Sequence, residues 1–481
     1  MASSSGSSDE LWRWDAVDLA DAIRAKRISS REATLSALGR LDAVNPKLNA
    51  VALPLRDAAL AAADAADAAV ARGDAPGPLH GVPVTMKENV DHAGLPTTNG
   101  IVAFAEMVAA EDSPPVANWK AAGAVIIGRT NTPGLSSRWD TVNPLRGRTR
   151  NPWSPARVPG GSSGGAAAAV AAGIGALAHG NDYCGSIRHP AHCCGVAGIR
   201  PSFGRVPAYN PSTVGERPPT AQLMSVQGPL ARRVRDLRLG LAAMARRDPR
   251  DPWWVPAPLE GPPPPRPIRV ALCAAPRDMP THPAIADAVR RAGAALADSG
   301  YAVEEVEPPS IAAVEAVWRK IVVGDTRRHQ YPLALRVGDP DLIRSMELWF
   351  AVAPEVDHET YLAALAERTK HIRDWSLFLE RYPLIVAPVS GAPPFEPGFD
   401  LGDMAATAAL LGAQTLLNIV PALGLPAVSV PAGVMEAADA PMGLPLGAQI
   451  IAARFREDLA LDAAEVVEAR CAMPTPIDPV W

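Results

Sequence analysis

One stretch constrains the fold more than any other: Val158-Pro-Gly-Gly-Ser-Ser-Gly-Gly-Ala-Ala-Ala-Ala-Val170, which continues through alanine and glycine to Ala178. A run with almost nothing larger than a methyl group cannot fill a core by bulk. Its use is close approach, so it predicts a helix over 166–178 packed tightly inside a large domain. The loop before it sets Ser162 and Ser163 between two pairs of glycines. A phosphate-cradling loop of the form G-x-x-x-x-G-K-[S/T] is excluded, because Ala166 and not lysine follows Gly165. Gly160 to Gly164 satisfies G-x-S-x-G as a string. A nucleophile elbow follows a buried strand, however, and three prolines between Asn151 and Pro159 cannot donate to a sheet.

The 481 residues are enough for a large buried core. Helical and strand periods alternate along them. Val17, Leu19 and Ile23, then Ala33, Leu35, Leu38 and Leu41, recur at helical spacing over 14–43, and a second helix is predicted over 55–72, ending at Gly73. Residues 81–87 change period: Val82, Val84 and Met86 share one face, Pro83, Thr85 and Lys87 the other, as in a strand. A helix over 116–122, a strand over 124–128 and a strand–helix–strand unit over 268–306 follow, with buried strands at 384–388 and 426–430. This alternation argues an α/β fold. Residues 1–10 read as a flexible tail and 11–481 as a single domain carrying a variable lobe at about 251–380, which opens on a proline-rich loop.

The net charge of −5 gives no reason to expect nucleic acid or an anionic membrane as a partner. Arg138, Arg146, Arg148 and Arg150 cluster without interleaved aromatics, which suits a structural role. Cys184, Cys193, Cys194, Cys273 and Cys471 form an odd set in a chain with no secretory leader and no membrane-length apolar run, as in a reduced cytoplasmic protein. His189, His192, Cys193 and Cys194 lack the second pair a structural zinc would want, so packing is expected and no metal or cofactor. For a Ser-His-Asp site, His282, His329, His358 and His371 stand in polar, unremarkable settings.

Chemistry concentrates elsewhere. A serine nucleophile needs a base, and a lysine can be that base when an apolar pocket makes it neutral. Lys87 at the end of the predicted strand, Ser162 or Ser163 in the glycine loop, and Ser186 in His179-Gly-Asn-Asp-Tyr-Cys-Gly-Ser-Ile-Arg-His-Pro190 are the candidates. An ordered set of segments, Gly81 to Asn89, Gly94 to Thr98, Ala121 to Val125, Thr130-Asn131, Asn143-Pro144, Arg150 to Pro152, Pro159 to Gly165 and Asp182 to Arg188, resembles the amidase signature family. The match is strong over about 75–235 and weak over 251–380.

The resemblance implies an α/β/α sandwich around a large mixed, twisted sheet. It implies that Ser186 is the nucleophile, Lys87 the base, and Ser162, after a cis Gly161–Ser162 peptide, the bridge between them. It further implies an oxyanion hole of the backbone N–H groups of Tyr183, Cys184, Gly185 and Ser186, with Ser163, Asp182 and Arg188 in support. The family usually has two glycines before the nucleophile; Cys184 replaces the first and reshapes the acyl pocket. The activity implied is hydrolysis of amide C–N bonds, with esters and carbamates open to the same attack. Asn181, Tyr183 and Cys184 resemble the subgroup acting on xenobiotic amides and urethanes. The alternative is an amidotransferase subunit that works in a complex. The substrate is a small molecule, and a monomer or homodimer is expected.

Overall fold

The computed structural model describes residues 8–481 except Val214 and Ala472. Residues 1–7 of the expected tail lie outside the described residues, and Ser8–Arg13 is a 3-10 helix. In chain order the strands are β1 (Val51–Pro54), β2 (Pro83–Lys87), β3 (Val125–Thr130), β4 (Val142–Asn143), β5 (Gly147–Arg148), β6 (Leu177–Asp182) and β7 (Ala197–Arg200). They continue as β8 (Val226–Ala231), β9 (Arg269–Leu272), β10 (Ala302–Glu305), β11 (Leu384–Pro388), β12 (Ala427–Ala437) and β13 (Ala440–Ala452). β4 and β5 form a small hairpin, and the other eleven make one sheet in the order β1-β3-β2-β6-β8-β7-β12-β13-β11-β9-β10. The sheet is mixed: β2 is parallel to β3 and β6, β6 is antiparallel to β8, and β11, β9 and β10 close the far edge in parallel.

Helices cover both faces. On one, Val84, Met86, Leu177, Ile199, Val428 and Ile450 pack with side chains of helices Ala16–Arg24, Val234–Met244, Pro283–Asp298 and Glu457–Arg470. On the other, Val125, Ile127, Ala178 and Leu230 meet the alanines of Gly164–Ala171. Farther along, Ile385, Ala387 and Ile451 meet the helices between 311 and 423. This is the α/β/α sandwich. The strand–helix–strand unit over 268–306 extends the main sheet at its edge.

Two elements depart from the sequence reading. The small-residue helix is Gly164–Ala171 rather than 166–178; the chain turns through Gly173 and Gly175, both with positive φ, and Leu177 and Ala178 are claimed by pairing in β6. The helical pattern over 14–43 is split between Ala16–Arg24 and Ser30–Leu48, because Ser29 and Glu32 close a capping box that starts a new helix. Among the described residues no single helix is long and apolar enough to cross a membrane.

Candidate active site

The alternation of β2 puts Val84 and Met86 in one core and sends Lys87 to the other side, where it is 0% exposed. Its Nζ donates to Ser162 Oγ at 2.7 Å, Ser163 Oγ at 3.1 Å and Asn181 Oδ1 at 2.7 Å. Burial pushes the ammonium well below the usual lysine range, against the opposing pull of the Asp182 charge. A lysine so placed is closer to its neutral form at neutral pH, and a neutral amine can accept a proton.

The glycine loop brings the serines there. The Gly161–Ser162 peptide is cis. Gly160 has φ +78, and a Cβ on it would lie 2.7 Å from Pro190 Cα; one on Gly161 would lie 2.2 Å from the Arg138 carbonyl oxygen. Only glycine passes between those segments. The Ser163 N–H then donates to the Ser186 carbonyl at 3.2 Å, tying the loop to the second serine-bearing segment.

Ser186 follows β6 and precedes helix Arg188–Cys194, on a strand–turn–helix connection. Asp182 organises that turn, accepting from the N–H groups of Gly185 (3.0 Å), Ile187 (3.3 Å) and Arg188 (3.4 Å) and pairing with Arg188 Nε at 3.0 Å and Arg200 Nη1 at 3.4 Å. Burial alone would raise its pKa; the charges of Arg188 and Arg200 outweigh it and bring the carboxyl down to about 2. Of the four backbone donors expected in the oxyanion hole, the Gly185 N–H is thus already engaged by Asp182. The N–H groups of Tyr183, Cys184 and Ser186 have no protein partner among the described residues. Cys184 does not have a positive φ, so its Cβ is accommodated by an ordinary backbone. Its carbonyl accepts from Trp139 Nε1 at 3.1 Å, and burial raises its thiol above the usual range, which keeps it protonated.

Ser162 and Ser186 line one cavity of about 470 Å³, although no hydrogen bond joins their hydroxyls among the described residues. The facing wall comes from the region of weak resemblance and includes Val322, Thr326, Met346 and Trp349. Trp349 stacks tilted on Trp139 at 5.3 Å and on the buried Trp318 at 6.1 Å. A buried brace joins the walls: Tyr183 Oη lies 2.6 Å from Thr220 Oγ1, which donates to Asp325, and Tyr361 Oη donates to Asp325 at 2.8 Å. The sequence reading missed Trp139, Met346 and Trp349, and gave Asn89 no role of its own. Asn89 closes the segment Gly81 to Asn89; Trp349 lies on an ordinary amphipathic helix that marks nothing. The arginine cluster is structural in three of its members: Arg138 pairs with Asp400, Arg146 with Glu88 and Arg148 with Asp140. Among the described residues no group of three His, Cys, Asp or Glu could hold a metal ion.

A sheet of this order and a lysine among serines beside one cavity define a class, and comparison with known proteins agrees. The sequence profile of the Amidase family matches residues 32–461. The chain belongs to that family and is an amide hydrolase. It is 49% identical over 461 residues to an indoleacetamide hydrolase of Bradyrhizobium diazoefficiens, spanning 96% of this chain and 87% of the relative. It is 34% identical to a glutamyl-tRNA(Gln) amidotransferase subunit of Moorella thermoacetica, over 95% of this chain and 97% of that one. Among solved structures, 6-aminohexanoate cyclic dimer hydrolase complexed with substrate superimposes with a TM-score of 0.81 at 29% identity, covering 98% of this chain and 100% of that one.

Proposed function

We propose that the chain hydrolyses small amides by acyl transfer to Ser186, with Lys87 as general base acting through Ser162. One observation carries the reading: a wholly enclosed lysine lies 2.7 Å from Ser162, at the edge of a cavity Ser162 shares with Ser186. Lys87 takes the Ser162 proton as Ser162 takes that of Ser186, and Ser186 Oγ bonds to the carbonyl carbon. Backbone N–H groups of Tyr183, Cys184 and Ser186 donate to the developing oxyanion. The proton returns through Ser162 to the nitrogen as the C–N bond breaks, releasing ammonia or an amine. Water activated by the same relay attacks the ester, frees the carboxylic acid and restores Ser186. Ser163 holds the lysine, Gly161 frames the bridging serine, and Asp182 with Arg188 shapes the oxyanion turn.

The substrate in this reading is an amide with a flat aromatic acyl group, of the indoleacetamide kind. The tryptophans of the cavity and the 49% identical relative support it. Esters, xenobiotic amides and carbamates present the same carbonyl and rank below it. The chain acts in the cytoplasm as a monomer or homodimer, and 11–481 form one domain in which 251–380 shapes the pocket. The test is hydrolysis of indole-3-acetamide, a 4-nitroanilide, a phenyl ester and an aryl carbamate by the purified chain. The aromatic acetamide is expected to have the highest kcat/KM. A chain inert toward all four until partner chains are added would overturn the reading in favour of an amidotransferase.

A further inference from the structure

Lys87 has a third partner that the relay does not use, and a polar chain runs on from it. Lys87 Nζ donates to Asn181 Oδ1 at 2.7 Å, Asn181 Nδ2 to Asn89 Oδ1 at 2.9 Å, Asn89 Nδ2 to Ser136 Oγ at 2.9 Å, and Ser136 Oγ to Asn99 Oδ1 at 2.7 Å. Every bond points the same way, away from the lysine. An amide carries its acceptor and its donors on different atoms, so each link dictates the direction of the next and polarises it. The far end is held in unusual backbone: Asn99, Leu135 and Ser136 have φ of +47, +50 and +54. Left-handed residues of this kind persist where the surroundings over-determine them. Asn210 Nδ2 fixes the middle by donating to the Asn89 carbonyl at 2.9 Å. Asn89, Asn99, Ser136 and Asn181 all line the cavity.

We propose that Asn181, held in one orientation by Asn89, is a positioning residue that aims the lone pair of Lys87 at Ser162. The proposal rests on Lys87 being the base. A neutral amine has two N–H donors and one lone pair. With the donors on Asn181 Oδ1 and Ser163 Oγ, the lone pair is left for the remaining neighbour, Ser162. Once protonated, the ammonium has three donors for the same three acceptors. Only Ser162 changes from donor to acceptor, so the base gains and loses its proton without moving.

The charged groups on elements packed against Lys87 are otherwise committed. Asp182 of β6 pairs with Arg188 and Arg200, Glu88 pairs with Arg146, and Arg129 of β3 donates to the Val90 carbonyl. His179 of β6, pushed down to about 3 by burial, is neutral beside Gln227, and helix Gly164–Ala171 bears no charge.

The experiment is the pH dependence of kcat/KM and kcat for the wild type, Asn181→Asp, Asn181→Leu, Asn89→Ala and Lys87→Ala. A carboxylate at 181 favours the charged lysine, so the acid limb moves to higher pH by about one to three pH units, and activity lost at pH 7 returns at alkaline pH. Leucine at 181 removes an acceptor from the ammonium; the limb moves to lower pH while the plateau kcat falls about tenfold or more. Asn89→Ala, at a half-buried position, guards against misfolding at 181 and lowers the plateau kcat with KM unchanged. Limbs and plateaus that coincide with the wild type in all three asparagine variants, with Lys87→Ala inactive, overturn the positioning role and leave the base standing. A Lys87→Ala chain of wild-type activity overturns the base, and this proposal with it.

Discussion

The two walls of the cavity are built by opposite rules. On one side Ser162 lines the cavity in front of Lys87, Ser163 and Asp182, all four at most 1% exposed, and backbone packs on backbone there. A Cβ on Gly165 would lie 2.5 Å from Asn131 N and 2.6 Å from the Ala50 oxygen, so this wall has no room for one more atom. The other wall is made of side chains on helices, with Met346 and Trp349 facing the cavity and Trp349 wedged between Trp139 and Trp318. Reacting groups must be held to a fraction of an ångström, and main chain holds them best. Selecting an acyl group needs only a shape, which a few large side chains supply and can exchange. In the proposed reading the first wall therefore decides which bond is attacked, and the second decides whose.

The comparison breaks if substitutions on the two walls have like effects. The largest difference is expected at Ser186→Ala, which lowers kcat by about four to six orders of magnitude in steady-state assays and leaves KM within a few-fold. Asp182→Asn comes next. It strands two buried arginines and lowers stability by about 3–5 kcal/mol in urea unfolding. Because the folded carboxyl sits at about 2, below its unfolded value, its contribution is complete above about pH 4 and is lost as pH falls toward 2; the asparagine chain lacks that slope.

On the facing wall, Trp349→Ala is expected to lower kcat/KM for an aromatic amide about 10–100-fold, chiefly through KM, while acetamide hydrolysis changes little. The smallest effects give the sharpest contrast. Adding one methyl at Gly165→Ala lowers stability by about 1–3 kcal/mol. Removing most of a side chain at Leu335→Ala, on the surface outside the cavity where the leucine is 51% exposed, changes it by less than about 0.5 kcal/mol. Thermal unfolding compares the two, and the reverse order would deny that the close-packed side lacks room for one more atom.

Much of the first wall was legible because its constraints are local. The alternation in 81–87 puts Lys87 opposite Val84, and the glycines of 160–165 announce close approach before any contact is known. The small-residue run misled over its length, since alanine suits a helix and a tight strand alike, and the pairing of β6 with β2 and β8 decides where the helix must stop. The elbow context that the Ser162 loop lacks is present at Ser186, and Asp182, which builds that turn, was legible as a support only through the family resemblance, since no local pattern marks its bonds to Arg188 and Arg200. The second wall was illegible for a different reason. Trp349 and Trp139 meet across 210 residues of chain, and no local period records such a meeting. The run from Lys87 to Asn99 joins five residues of four separate segments, each ordinary on its own.

The most direct test of the central claim is where the acyl group rests. The chain is incubated with a slowly deacylating aryl carbamate, digested and analysed by mass spectrometry. The account predicts one carbamoyl group per chain, on the peptide carrying Ser186 and on its hydroxyl, absent from Ser186→Ala. A carbamoyl group on Cys184, or turnover with no adduct on Ser186 under conditions that accumulate one, would contradict it.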